Sequence, residues 1–299
     1  MISVLIPIYN FKVEKLVDTL LEQSRKSNIP IEIICLDDGS KPSIKKENEK
    51  LRHKFLVNYV ELSENIGRSK IRNWLGRLSR YEYLLFLDCD SAVKNPDFLK
   101  NYYLHRNDGK VINGGRIYPE NPPRSLHKKL HWKYGTKVES KSSEKRSLRP
   151  YLSFMSNNFM ITKDLFDNYK FDEGISGYGY EDTVFAQTLE KSKIQILHID
   201  NPVIHKGLET TSVFLQKTKK AIENLYELET KKMIHNSKLL ITVRRLKTLK
   251  ADKLVLKVLH HHKAKIEKKL FEEDPGLIYF SFFKLYHYLL LVNPSKTAL

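Results

Sequence analysis

Tyr83-Leu84-Leu85-Phe86-Leu87-Asp88-Cys89-Asp90 decides the fold. The first five residues are apolar and aromatic-rich without polar alternation, which reads as a fully buried strand. Strands of that kind belong to parallel sheets covered by helices. Ligands of such sheets sit just beyond the carboxyl ends of the strands. Asp88 and Asp90 therefore stand one residue apart at the ligand edge. Their carboxylates repel each other unless a divalent cation lies between them, and hard cations choose carboxylate oxygens. A cation held there binds a diphosphate, so the stretch points to an enzyme that uses a nucleotide diphosphate. The plainer reading of the tripeptide alone is a strand end closed by a turn-forming Asp.

Outward from this strand, the first half of the chain alternates strand and helix. Strands are expected over 2–8, 31–36, 57–62 and 83–87, and helices over 12–23, 45–54, 67–79 and 96–106. That alternation implies right-handed crossovers and a mainly parallel sheet. Residues 110–115 read as an edge strand. Residues 119–150 begin Pro-rich and continue basic and Ser-rich, the composition of a mobile loop. A strand over 195–199 ends near His198 and His205. From Thr211 onward the periodicity is helical.

The chain has 299 residues and a formal net charge of +17. From Lys206 to Leu299 there are 19 Lys and Arg against 9 Asp and Glu, so the last third carries most of the excess. Such a surface attracts anions: nucleic acid, anionic lipid or an acidic polymer. Cys35 and Cys89 form neither a metal knuckle nor a disulfide framework, which favours reduced thiols and a cytoplasmic location. The start of the chain reads as a core strand and not as a signal peptide. No apolar run reaches the roughly 18–20 residues that span a bilayer. The aromatic stretch 277–292 reads either as a hydrophobic helix packed on the catalytic domain or as a segment lying in a membrane interface.

The strand ends, taken in order, are Pro7-Ile8-Tyr9-Asn10, Asp37-Asp38-Gly39-Ser40, Asn65-Ile66-Gly67-Arg68 and Asp88-Cys89-Asp90-Ser91. All are polar and turn-rich, and all fall on one edge of the sheet. Over residues 1–206 this series resembles the family 2 glycosyltransferases. The resemblance implies a GT-A fold: α/β and Rossmann-like, with a mainly parallel central sheet flanked by helices and, here, a C-terminal helical region. It implies a catalytic domain over 1–206, with a nucleotide-sugar half (about 1–115) and an acceptor half (about 116–206), and a basic helical extension over 207–299.

It further implies that Pro7 and Tyr9 wall the base and that Asp37 and Asp38 accept from the base and ribose. Gly67 lets the backbone approach the ligand, Arg68 meets the diphosphate or base, and Asn65 either joins them or caps the next helix. Asp90 is the main metal ligand, and Asp88 contacts ribose or metal-bound water. The cofactor is then Mn²⁺ or Mg²⁺ bridging two phosphates. Gly177-Tyr178-Gly179-Tyr180-Glu181-Asp182 resembles the acceptor-side acidic motif, with Asp182 as general base and Glu181 orienting hydroxyls. An acidic pair opening a helix also suits the helix dipole. Asn157 and Asn158 resemble the segment lining the donor sugar. His205 resembles a histidine that completes the metal site, with His198 as an alternative.

The chain departs from the family's processive members: no Gln-x-x-Arg-Trp motif follows the acidic pair, and no multi-span region is present. One sugar per encounter is implied. The donor is expected to be UDP-linked, and the Gly-Tyr-Gly-Tyr-Glu-Asp segment resembles that of N-acetylhexosaminyl transferases, which implies an N-acetylhexosamine; the acceptor is expected to be a glycan or lipid-linked hydroxyl in surface polysaccharide or glycolipid synthesis. Trp132 and Tyr134 of the basic loop would meet a sugar face or close over the nucleotide. Residues 206–299 are expected to meet an anionic membrane surface peripherally. A nucleic-acid-binding protein lacks support, because the acidic strand ends repel phosphate and no RNA- or DNA-binding signature is found. A nucleotidyltransferase would need a Gly-rich basic loop after the first strand, which residues 7–12 do not supply.

Overall fold

A computed structural model describes residues 1–175 and 177–294. The chain divides into two units. The first comprises residues 1–118, 139–176 and 181–207, and the second 119–138, 177–180 and 208–299.

In chain order, the first unit opens with β1 (Ile2–Ile8), α1 (Glu14–Ser27), β2 (Ile31–Asp37), α2 (Pro42–Asn48), β3 (Val57–Glu61), α3 (Arg68–Leu78) and β4 (Tyr83–Leu87). There follow β5 (Ser91–Ala92), α4 (Phe98–His105), β6 (Val111–Asn113) and β7 (Arg116–Ile117). The second unit contributes α5 (Lys129–Tyr134), after which the first resumes with α6 (Ser143–Ser147), β8 (Asn158–Thr162), α7 (Lys163–Asn168), α8 (Glu181–Lys191), β9 (Ile196–His198) and β10 (Val203–His205). The second unit then runs through α9 (Thr211–Thr230), α10 (Lys238–Thr248), α11 (Asp252–His261), α12 (Lys263–Leu270) and α13 (Leu277–Val292).

The central sheet has the order β3-β2-β1-β4-β8-β6-β9. β1, β2, β3 and β4 are mutually parallel, so their carboxyl ends share one edge. β8 runs antiparallel to both β4 and β6. Two apolar layers cover the sheet. Ile2, Val4, Ile6 and Ile8 face α1 and α4, whereas Leu5 faces α3 and the Phe86-Phe159-Phe166-Phe171-Phe185 cluster. The Phe86 and Phe159 rings stack at 4.9 Å between centroids. Each such ring stabilises the fold by about 1.5–3 kcal/mol of burial.

Three expectations change. The second expected helix, over 45–54, is instead a short α2 starting at Pro42 and followed by a 3-10 turn over Glu49–His53, because proline is tolerated only in a helix's first turn. β6 is not an edge strand: β8 and β9 flank it, and β9 forms the edge. Residues 119–150 are not an irregular loop, since they contain α5 and α6. Arg146 of α6 is 2% exposed. Its guanidinium donates to the carbonyls of Asn113, Gly114, Ile199 and Lys141, to Asn113 Oδ1, and to His198 Nδ1 at 2.7 Å. A basic residue that sequence reading assigned to solvent is therefore an internal anchor.

Within the second unit α13 is the central helix. Phe280, Phe283, Tyr286, Tyr288 and Leu289 are buried, and α9, α10, α11 and α12 all lean on it. The segment forms a helix packed within the second unit. Among the described residues, no helix is long and apolar enough to cross a membrane.

Candidate active site

The shared carboxyl edge of β1–β4 is tied together by its own turns. Asp37 is fully buried, and its carboxylate accepts from the Ser40 amide at 2.7 Å and from Tyr59 Oη at 3.3 Å. Asp38 Oδ1 accepts from the Ile66 amide at 2.7 Å, while the Asn65 carboxamide donates to the Asp38 carbonyl at 3.2 Å. A side chain at Gly39 would strike the backbone of Glu64 at 2.5 Å. The absence of a Cβ there lets the Asp-Asp-Gly-Ser turn lie against the Asn-Ile-Gly loop. The Asn10 amide donates to Ser40 Oγ at 2.8 Å and brings the first turn to the second. Tyr9 stands 54% exposed, and Pro7 pairs with Leu36 inside the sheet. Gly67 has φ +91° and no atom within 4 Å of a would-be Cβ, so its conformation and not crowding demands glycine.

α3 joins the acidic motifs. Arg72, 3% exposed, donates to Asp88 Oδ1 at 2.8 Å and lies 3.8 Å from Glu181 Oε1. Arg68 donates to the same Glu181 oxygen at 3.1 Å. Residues 113 positions apart in sequence thus share one charge network at the sheet edge. Burial works against the ionised form of Glu181, but Arg68 and Arg72 overcome it and hold the carboxyl below its ordinary range. The neighbouring Asp182 moves the other way: burial first, and the Glu181 charge second, push its carboxyl up to about 6. Divergent shifts in adjacent carboxyls separate a permanent charge from a group able to exchange protons near neutrality.

On the other side of β4, β5 pairs antiparallel with β10, and His205 sits opposite Ser91. That register places His205 Nδ1 3.3 Å from Asp90 Oδ1. Burial opposes ionisation of Asp90, yet His205, Arg116 and Arg68 together keep its carboxyl below the usual range. Gly207 closes over this pair, since a Cβ there would fall 2.3 Å from Asp90 Oδ2. His198 is elsewhere: Nδ1 accepts from Arg146 and Nε2 donates to the Pro150 carbonyl at 3.1 Å. Burial lowers its pKa to about 4, so it is a neutral structural residue.

Asn157 and Asn158 part company. The fully buried Asn158 accepts from Tyr102 Oη at 2.7 Å and donates to the Gly115 and Asn201 carbonyls, which commits both of its amide protons to the fold. Asn157, 5% exposed, has neither side-chain polar atom bonded, and its carbonyl accepts from the Asp88 amide at 3.0 Å. Buried polar atoms of Ser69, Arg72, Arg116 and Glu181 are likewise unpaired within the protein. Each such atom costs about 1–3 kcal/mol unless something polar meets it. Arg72, Glu181 and Arg116 belong to the network of the acidic pairs, which makes this edge a candidate site for a polar ligand.

Sequence reading missed Arg72 and Arg116. Arg72 follows Arg68 by one helical turn, a spacing that puts both on one face. Arg116 has no local signal: it is 3.2 Å from Glu139 and acts on Asp90 only through the fold.

For a divalent cation the fit is partial. Asp90 and His205 converge under Gly207, whereas Asp88 turns one oxygen to Arg72. Among the described residues no group of three or more His, Cys, Asp or Glu forms a complete metal cage. Two protein donors with substrate oxygens supplying the rest suit a cation that binds together with a diphosphate.

Within the second unit, Gly177-Tyr178-Gly179-Tyr180 lies on α9. Asn224 donates to the Gly179 carbonyl, and a side chain at Gly177 would collide with Asn224. The Trp132 indole donates to the Pro119 carbonyl at 2.7 Å, and Tyr134 packs between Phe214 and Phe280, so these rings serve the unit's own packing.

The mostly parallel sheet flanked by helices that carries this edge is a GT-A fold. The model of the family described as glycosyl transferase family 2 matches residues 3–169. The chain belongs to that family. It is 33% identical over 98 residues to a hyaluronan synthase of Pasteurella multocida, a match covering 32% of this chain and 10% of that protein. It is 26% identical over 272 residues to the EpsH protein of Bacillus subtilis (strain 168), covering 79% of this chain and 75% of the relative. Among solved structures, a mannosyltransferase of Pyrobaculum calidifontis in complex with GDP-Man and Mn²⁺ superposes with a TM-score of 0.58 at 13% identity, covering 100% of this chain and 88% of that one. The last likeness is one of fold. The match thus spans about a tenth of the hyaluronan synthase's length.

Proposed function

We propose that this chain transfers one sugar per encounter, with inversion, from a UDP-linked donor to a hydroxyl of a glycan or lipid-linked acceptor. The observation that carries the reading is the Asp88–Arg72–Glu181 bridge, which unites the diphosphate-side and acceptor-side acidic motifs within one folded unit. The names of similar proteins agree with a glycan product: one is a hyaluronan synthase.

The residues divide the work as follows. Tyr9, Asp38 and the Gly67 backbone receive the base and ribose, with Asp37 holding the turn that aims Asp38. Asp90 and His205 hold Mn²⁺ or Mg²⁺, which when bound neutralises charge growing on the departing diphosphate. Arg68 and Arg116 supply fixed positive charge beside it. Asn157 meets the donor sugar. Asp182 takes the proton of the acceptor hydroxyl as that oxygen attacks the anomeric carbon, and Glu181, kept ionised by two arginines, orients the hydroxyls. A base near pKa 6 is ionised at neutral pH and still accepts a proton, the compromise general-base catalysis requires.

Incubation with UDP-hexoses, UDP-N-acetylhexosamines and GDP-mannose, plus Mn²⁺ and short glycan acceptors, tests the reading. The product of an α-linked donor should carry a β-linkage, read from the anomeric proton coupling. A retained α-linkage, or transfer from GDP-mannose alone, contradicts it.

A further inference from the structure

The second unit carries a surface that the transfer chemistry does not use. Residues 238–270, which span α10, α11 and α12, hold eleven Lys and Arg against two acids, Asp252 and Glu267. The inner faces of these helices are apolar and buried: Leu240, Val243, Leu256, Leu259, Ile266 and Leu270. The outer faces are not uniformly polar. Leu249 at the α10–α11 turn is 74% exposed, Leu254 in the first turn of α11 is 66%, and Val258 is 50%. Leu254 and Val258 are four apart and share one stripe of the helix. Exposed beside them in sequence are Lys247, Lys250, Lys253 and Lys257, and further along Lys265 and Lys268. None of these six forms an ion pair among the described residues; Arg244 and Lys269 use Glu229 and Glu272.

Exposed aliphatic side chains set among unneutralised lysines are the composition of a helix that lies on a lipid interface. We propose that the outer face of the α10–α11 hairpin, with α12, docks on an anionic bilayer surface, with Leu249, Leu254 and Val258 entering the headgroup boundary and the lysines meeting lipid phosphates. The occupant follows from charge and apolarity together. A nucleic-acid backbone satisfies the lysines but gives the leucines nothing. A second copy of the chain gives the leucines a partner but sets like charges against one another. An anionic lipid surface answers both. The lipid-facing surface is then this hairpin and not the aromatic α13, whose Phe280, Phe283, Tyr286, Tyr288 and Leu289 are buried within the unit.

The test is flotation of the full chain with vesicles of phosphatidylcholine alone and of phosphatidylcholine mixed with phosphatidylglycerol. Binding should be confined to the anionic vesicles and released at ~1 M salt, where the Debye length falls to about 3 Å. The variant Leu249→Ser/Leu254→Ser/Val258→Ser should lose at least about tenfold in partitioning, since each buried methylene is worth about fourfold. Lys253→Glu/Lys257→Glu should lose at least about fivefold per charge removed. Both variants alter exposed positions, and unchanged helical circular dichroism verifies their fold. Four results overturn the proposal: no vesicle binding; equal binding to both vesicle types; binding lost with the lysines but intact without the leucines, which means a general polyanion site; or concentration-dependent self-association abolished by the serine variant. The readout needs neither donor nor turnover, so its failure leaves the transferase reading standing.

Discussion

Arg72 donates to Asp88 Oδ1 at 2.8 Å from a side chain that is 3% exposed, and lies 3.8 Å from Glu181 on its other side. One guanidinium thus balances a carboxylate from each acidic motif. Breaking a buried pair by removing one partner costs about 3–5 kcal/mol, because the other charge is left uncompensated. Arg72→Ala should therefore lower the melting temperature by several degrees and abolish transfer. Arg72→Lys, which keeps charge but not the planar fork, should recover much of the stability and little of the activity. Unchanged melting of Arg72→Ala would refute the bridge.

The raised pKa of Asp182 sets a pH dependence. Below about 6 the carboxyl is protonated and cannot accept the acceptor's proton. kcat/KM should fall about tenfold per pH unit below that value and level off above it. Asp182→Asn should lose roughly 10²–10⁴ in kcat/KM together with this limb, while nucleotide affinity stays the same. A limb that persists in Asp182→Asn belongs to another group.

His205 and Gly207 should matter through the cation. His205→Ala is expected to raise the Mn²⁺ concentration for half-maximal activity by about tenfold or more, within the range that ligand-shell changes produce. Gly207→Ala should do likewise, since its methyl would need the space of Asp90 Oδ2. Activity that is unaffected by EDTA in the wild type would remove the cation from the account.

Arg146→Met leaves the carbonyls of Asn113, Gly114 and Ile199 without their shared donor. Each carbonyl keeps a backbone amide donor, Ile199 for Asn113 and Asn201 for Gly114 and Ile199, so what is lost is the set of charge-assisted bonds. At about 1.5–3 kcal/mol for each of these, the loss should exceed about 3 kcal/mol in chemical denaturation. A change under 1 kcal/mol, by the same scale, would mean that the anchor is dispensable.

Much of the fold was legible because buried parallel strands announce themselves. The run 83–87 has no polar residue, and the acidic and glycine-rich turns after β1 to β4 fall on one edge whenever those strands are parallel. Direction was not legible for β8: Asn158–Thr162 is equally apolar whichever way it runs, and only its pairing with β4 and β6 makes it antiparallel. Nor was the fate of isolated polar residues. His198 and His205 are seven apart, and nothing local separates a histidine clamped by Arg146 from one beside Asp90. Asn158 opens β8 and Asn157 lies in the turn before it, so one is spent inside the fold while its neighbour's carboxamide is left unbonded. Arg72 and Arg146 have the composition of surface residues, and long-range partners alone place them inside.

The most direct test of the central claim is calorimetric titration of UDP, with Mn²⁺ and with EDTA, into wild type and Asp90→Ala. Binding to the wild type that requires the cation, and that Asp90→Ala abolishes, is the predicted result. UDP binding of equal strength in EDTA and in Asp90→Ala, or no binding under any condition, would contradict it.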